Sequence, residues 1–290
     1  MSLPDIFIRT LRERGDGGHA TPSLTPQLLG PLAVVVLLAI AAWKPQWITA
    51  FDPEAVNPDI IFMPPDTIHW FGTDELGRDL FSRVVYGTST SLGIGIGATV
   101  IAAAGGILLG TLAACAPNTI KLLLLRLIDI LLAFPEILLA LLVIAVFGRG
   151  PSNTMLAVGL SGIASYARLV RSQVLQVRLS GYVEHAVTLG EPPWTIIVKH
   201  ILPNTCRPLL ILATIGVGGS VLSASALSFL GLGVVPPAPE WGALLASGRN
   251  FLDVAPWTSI LPATVVAISV ISIILLARRL RHLLSSGEGP

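Results

Sequence analysis

The chain is poor in charge. Asp, Glu, Lys and Arg make up 12% of its 290 residues and the formal net charge is +1, whereas hydrophobic residues make up 53%. That balance excludes an ordinary soluble domain. The lack of any Lys/Arg cluster excludes a general nucleic-acid binder, because such affinity comes from neutralised phosphates. Cysteine is almost missing: Cys115 and Cys206 are far apart, match neither a zinc site nor a redox CxxC pair, and read as free thiols. His19, His69, His185, His200 and His282 all fall outside the most apolar stretches, so no histidine is placed to ligate a metal within a bilayer. An HExxH helix and a GxxxxGK(S/T) loop are both missing. The chain therefore reads as non-catalytic, with no metal site and no cofactor of its own.

What the chain does have is apolar length. A spanning helix needs about 20 mostly apolar residues, and six stretches qualify: 28–47, 91–115, 122–147, 154–176, 207–233 and 258–278. The first also has signal-peptide features, since Arg9, Arg12 and Arg14 precede it and Ala39-Ile40-Ala41 resembles a cleavage site. A retained helix is favoured, because the polar leader is long and the apolar run continues to Trp43 and Trp47, residues of the type that anchor at membrane interfaces. The fold class expected is all-α, a polytopic membrane protein with six transmembrane helices.

Cytoplasmic loops carry the excess of Lys and Arg. Placing both termini in the cytoplasm gathers Arg9, Arg12, Arg14, Lys121, Arg126, Arg168, Arg171, Arg178, Lys199, Arg207, Arg278, Arg279 and Arg281 inside. Only Lys44, Arg78, Arg83, Arg149 and Arg249 remain outside. The organisation is then a cytoplasmic tail (1–27), a first transmembrane helix (28–47), an extracytoplasmic segment (48–90), a five-helix core (91–278) containing a cytoplasmic loop (177–206), and a cytoplasmic tail (279–290). Both long loops exceed simple turns, and long ordered loops tend to carry function.

In the inner loop, Tyr182-Val183-Glu184-His185-Ala186-Val187-Thr188-Leu189-Gly190 reads as a short helix stopped by Gly190, a residue able to take the left-handed conformation. A second helix follows from Pro192 and Pro193. Its Trp194, Ile197, Val198 and Ile201 recur at i, i+3, i+4 and i+7 as one apolar face, and Pro203-Asn204 closes it. Two short helices joined by glycine form a stiff knob able to dock in a groove; by local physics alone, an amphipathic helix lying on lipid is the preferred reading, being the usual fate of such patterns. In the outer segment, Thr73 or Asp74 can cap an interfacial helix with Leu76, Leu80 and Val84 on one face and Arg78 and Asp79 on its wet side.

Two ionisable groups fall in the third span. Arg126 is three residues before Asp129 and within pairing distance on a helix. Phe134-Pro135 introduces a kink, and Glu136 lies deeper, where ionisable groups are costly and functional by default. Glu136 and Pro135 are therefore candidates for a substrate path, with Glu136 attracting a cationic group of the substrate; the alternative, which is favoured, is a Glu136 that is protonated or satisfied by a partner subunit. Gly93 with Gly97, and Gly106 with Gly110, have the spacing of close helix packing.

Several strings carry a family resemblance. Glu184, Ala186, Gly190, Ile201, Leu202 and Pro203 resemble the Glu-Ala-Ala, Gly, Ile-x-Leu-Pro signature of ABC importer permeases. Gly72-Thr73-Asp74, Gly77-Arg78-Asp79 and Ser82-Arg83 resemble the motif of the C-type permease of dipeptide, oligopeptide and nickel importers. Tyr166 to Arg171, Leu227 to Gly233, Pro236-Pro237 and Glu240-Trp241-Gly242 extend the likeness over residues 50–262 or so. The chain departs from the pattern at His185, at Glu191-Pro192-Pro193, at Ser89 and at Ala277-Arg278-Arg279-Leu280-Arg281.

The resemblance implies the type I ABC importer permease fold in a bacterial inner membrane. It also implies partners: a second, similar permease, two cytoplasmic ATP-binding subunits that hold ATP and Mg, and an extracytoplasmic solute-binding protein. Glu184, His185, Ala186, Leu189, Gly190, Ile201 and Pro203 would couple to the ATPases. The substrate expected is a di- or oligopeptide, with nickel or a metal chelate of the opine-metallophore kind as the alternative.

Two other classes are weaker. Gly159-Leu160-Ser161-Gly162 resembles the nucleophile site of intramembrane serine proteases, but such a serine needs a histidine base and no span contains one. A self-sufficient secondary transporter usually shows two related halves, and no convincing internal repeat is visible.

Overall fold

The computed structural model describes residues 26–285; the leader with Arg9, Arg12, Arg14 and His19, and the end of the tail after Ser285, lie outside them. The chain is helical nearly throughout. Its helices are α1 (Pro26–Trp43), α2 (Leu80–Cys115), α3 (Asn118–Ala133), α4 (Glu136–Phe147), α5 (Pro151–Arg178), α6 (Gly181–Thr188), α7 (Pro193–Phe229), α8 (Trp241–Gly248) and α9 (Trp257–Ser285).

Three of these, α2, α7 and α9, are long and apolar enough to cross a membrane by themselves, and α3 with α4 makes a fourth candidate as a broken pair. Helix α1 is apolar but shorter, with Trp43 and Trp47 at its end 74% and 71% exposed and stacked edge to face. Helix α5 is long but mixed in composition. Its small and polar residues Thr154, Ala157, Gly159, Ser161, Gly162 and Ala164 are buried against other helices, so it needs little apolar surface of its own.

The α2–α5 pair forms the centre of the bundle. Side chains at Gly97, Gly106 and Gly110 of α2 would collide with Met155, Tyr166 and the Ala167–Val170 turn of α5, so the two backbones approach as closely as small residues permit. Gly93 departs from the expected spacing: nothing lies within 4 Å of a side chain built there. Four apolar clusters make up the core, the smallest being Ala113, Ile128 and Ala167. Ile94, Ala98, Ile144, Val158 and Leu227 form one, Leu80, Val84, Val221, Trp241 and Val266 another, and Ala114, Val170, Val174, Val183, Ile196, Ile201 and Leu209 the third.

The structure corrects several expectations. The third span is cut in two at Phe134-Pro135, with α3 and α4 bent 94° apart. Phe134 and Pro135 both take extended backbone angles, so the proline starts a new helix rather than kinking an old one. No helix begins at Thr73 or Asp74. The cap is Asp79, which accepts from Ser82 N at 2.7 Å, and the supposed interfacial helix is the first turns of a 36-residue α2. At the other end, Pro203-Asn204 does not stop the chain. The preceding Ile196–Ile201 stretch is π-helical, with Leu202 N–H reaching back to Ile197 O, and this widened turn lets one helix run from Pro193 to Phe229. Asp129 pairs with Arg168 of α5 at 3.0 Å rather than with Arg126.

Candidate functional site

Three places carry the residues singled out above: a cap formed by 48–79 at one end of the bundle, a knob at the other, and the break between α3 and α4.

The cap is an ionic knot. Asp74 accepts from Arg78 Nε at 2.8 Å and lies 3.5 Å from Arg83 Nε, while Arg78 also reaches Glu75 at 3.1 Å. Asp79 accepts from the Ser82 hydroxyl at 2.6 Å and contacts His69 Nδ1 at 2.9 Å. Ser82 in turn meets Thr49, and Arg83 donates to the Pro53 carbonyl at 3.0 Å. Thr73 accepts from Met63 N–H at 2.8 Å and donates to the Ile60 carbonyl. Arg78 and Asp79, expected on a wet face, are 6% and 5% exposed. The knot satisfies their charges internally, as burial of ionised groups requires. Gly72 and Gly77, both with positive φ, have carbonyls of Met63 and Asn57 pressed against the place a side chain would occupy. The Gly-Thr-Asp…Gly-Arg-Asp…Ser-Arg string thus holds residues 48–79 onto the start of α2.

Glu240 and Trp241, quoted above only for their likeness, finish this end of the core. Glu240 is 1% exposed, caps α8 through the N–H groups of Gly242 and Ala243, both at 2.9 Å, and accepts from Ser91 of α2 at 3.1 Å. Trp241 is fully buried and donates to Val84 O.

The knob is α6 together with the first turns of α7. Gly190 adopts φ +77° directly after α6, ending it as the spacing implied. Val183, Ala186, Ile196 and Ile201 turn inward onto Val170, Val174 and Leu209. Glu184, His185, Leu189, Gly190 and Pro203 are exposed, with Leu189 at 82% and Trp194 at 73%. The expected single apolar face is therefore split: Ile201 is buried while Trp194 and Val198 face outward. The π-helical turn shifts the register, so a 3.6-residue spacing does not predict which residues share a face. Arg178 donates to the Ala114 carbonyl at 2.8 Å, tying the end of α5 beside the knob to the end of α2. His200 and Glu191 pair at 3.2 Å on the knob's flank.

At the break, Pro135 and Glu136 are exposed on this chain. The Glu136 carboxylate faces Gly162 of α5, 3.8 Å from where a side chain there would begin. Nearby, α4, α7, α8 and α9 border an open, mostly apolar cleft of about 350 Å³ lined by Ile137, Leu222, Ser225, Phe229, Leu245 and Val266.

A bundle of apolar helices with a buried ionic cap at one end and a protruding helical knob at the other is the architecture of a multi-pass membrane protein. The particular family follows from comparison. Residues 106–287 match the family described as binding-protein-dependent transport system inner membrane component, and the chain belongs to it as a permease subunit of an ABC importer. It is similar to the di/tripeptide transport system permease protein DppC of Pseudomonas aeruginosa, 38% identical over 88% of this chain and 86% of that one. It is also similar to the glutathione transport system permease protein GsiD of Escherichia coli, 41% identical over 86% and 83%. Among solved structures, an inward-facing form of the MetNI methionine ABC transporter aligns with TM-score 0.57 and 17% identity over 68% of this chain and 94% of that one. A crystal structure of an amino acid ABC transporter with histidines aligns with TM-score 0.56 and 15% identity over 70% and 94%. Both share the fold.

Proposed function

We propose that the chain crosses a bacterial inner membrane six times with both termini in the cytoplasm, and that it imports di- and oligopeptides. It does so beside a second, similar permease, with two cytoplasmic ATPases that bind ATP and Mg and an extracytoplasmic solute-binding protein. Helices α1, α2, the broken α3–α4 pair, α5, α7 and α9 make the six crossings. The names of the relatives support peptides and glutathione as the substrate class over nickel or a metal chelate.

The observation that carries the reading is the two-sided knob. Its inner residues are part of the bundle core, so it moves with the bundle, and its outer residues expose apolar surface that a monomeric soluble face rarely leaves uncovered. Glu184, His185, Leu189 and Gly190 make the contact with an ATPase, while Ala186, Ile201 and Pro203 set its position. ATP-driven closure of the ATPase pair pulls the knobs together, and the bundles switch access.

The test is crosslinking in the assembled, transporting complex. Cysteine at Leu189 or Gly190 captures an ATPase subunit in a nucleotide-dependent manner, whereas cysteine at the buried Ala186 captures it poorly. Absence of any capture from Leu189 and Gly190 in a complex that still transports rejects the coupling role.

A further inference from the structure

Glu136 presents an electrostatic problem that the bundle does not solve. It is the first residue of α4, eleven residues before Phe147, so at 1.5 Å per residue it lies about 16 Å from that end of the helix, near the middle of a hydrocarbon layer about 30 Å thick. Gly162, which its carboxylate faces, is eleven residues from the start of α5 at Pro151, at the matching depth. Among the described residues no Lys, Arg or His comes within ion-pair distance of it. A charged carboxylate at that depth is strongly disfavoured against hydrocarbon, so its open side favours a partner-lined or water-lined path over lipid.

The bland role for Glu136 is to complement the helix dipole, since it occupies the first turn of α4 and that turn has no side-chain cap. The dipole term is smaller than the cost of a carboxylate at the bilayer centre, so it does not account for the residue alone. The surroundings are arranged for a ligand instead. The 94° break opens the backbone at this depth, as non-helical backbone in membranes does where it lines a cavity. Gly162 keeps the space beside the carboxylate clear of a side chain, and Tyr166, one turn further along the same helix, turns its hydroxyl onto Gly216 of α7.

We propose that Glu136 is a specificity-determining residue that receives the terminal ammonium group of the transported peptide as it crosses the midplane between the two permeases. This rests on the peptide-importer reading above.

The test uses the whole assembly of both permeases, ATPases and binding protein in proteoliposomes, with dialanine as the probe. In Glu136→Gln, ATP-driven dialanine uptake falls about tenfold or more, the scale of a lost charge-assisted hydrogen bond. ATPase stimulation by loaded binding protein stays within about twofold of wild type, because the knob is untouched, and Glu136→Asp recovers most of the uptake. Unchanged uptake in Glu136→Gln overturns the assignment. So does parallel loss of uptake and ATPase stimulation, which makes Glu136 structural, or loss of the co-purifying second permease, which assigns the carboxylate to the subunit interface. If the wild-type assembly takes up no dialanine although its ATPase responds to loaded binding protein, the peptide reading fails first and the assignment falls with it.

Discussion

At the scale of single residues, the cap shows how buried charge becomes a fastening. Asp74 is 4% exposed and faces two guanidinium groups that are nearly as buried. Removing one member of such a set leaves the others uncompensated, at a cost of about 3–5 kcal/mol. Asp74→Ala is therefore expected to lower the thermal unfolding midpoint of the purified complex sharply, whereas Glu75→Ala, at the knot's more exposed edge, has little effect. Glu240→Ala removes a cap and the acceptor for Ser91 together and should cost about 2 kcal/mol or more in the same measurement. On the solvent side, the N–H groups of His69 and Ile68 donate to Asp66 and hold its carboxyl below the ordinary value of 3.8. A depressed folded pKa means that this turn's support is complete above about pH 3.8 and is lost as pH falls through the lower folded value. Protection of the Ile68 and His69 amides, taken as the exchange rate relative to the intrinsic rate at each pH, should fall in that acid range, and Asp66→Asn, which keeps the acceptor, should remove that change in protection.

Elements turn these residue effects into packing, and here the limits of reading a sequence become physical. The positions of most apolar helices were legible because about 20 apolar residues in a row have few other fates in water or lipid. Gly190 was legible as a terminator because few residues tolerate its φ. The burial of Arg78, Asp79 and Arg83 was not, since Asp74, His69 and Pro53, which compensate them in turn, are brought together with them only when residues 48–79 fold back on α2. The face presented by Trp194 to Ile201 was misjudged for a different reason: one π-helical turn changes the angular step between residues, and composition does not announce it. Nor does spacing distinguish a glycine that packs from one that faces open space. Gly106→Val should drive a side chain into Tyr166 and cost about 1–3 kcal/mol or more by overpacking α2 against α5. Gly93→Ala, with nothing nearby, should be neutral or stabilise α2 by up to about 1 kcal/mol through helix propensity. Equal losses of complex yield and melting temperature in the two variants would contradict this placement of the α2–α5 contact.

For the whole molecule, the coupling proposed above requires that motion at the knob reach the break between α3 and α4. The third core cluster supplies a continuous connection, from Val183 and Ala186 of α6, through Ile196 and Ile201 of α7, to Val170 and Val174 of α5. Helix α5 then runs from that cluster past Tyr166 to Gly162, which faces Glu136 across the break. Close-packed interiors shift between discrete arrangements rather than deforming smoothly, so the knob, α5 and the break are expected to move as one body. Loosening the joint should separate the two ends without unfolding either. Ile201 is 2% exposed at the centre of the cluster, and Ile201→Ala should lower the local opening free energy of residues 181–190 by about 2–4 kcal/mol. Hydrogen exchange would register this as faster amide exchange in α6, with the cap around Asp74 and Asp79 unchanged. In the reconstituted assembly the same variant should hydrolyse more ATP for each solute imported, because the ATPases still close on a knob that no longer carries α5 with it. Faster exchange in α6 accompanied by an unchanged ratio of hydrolysis to import would show that force enters the bundle by another route.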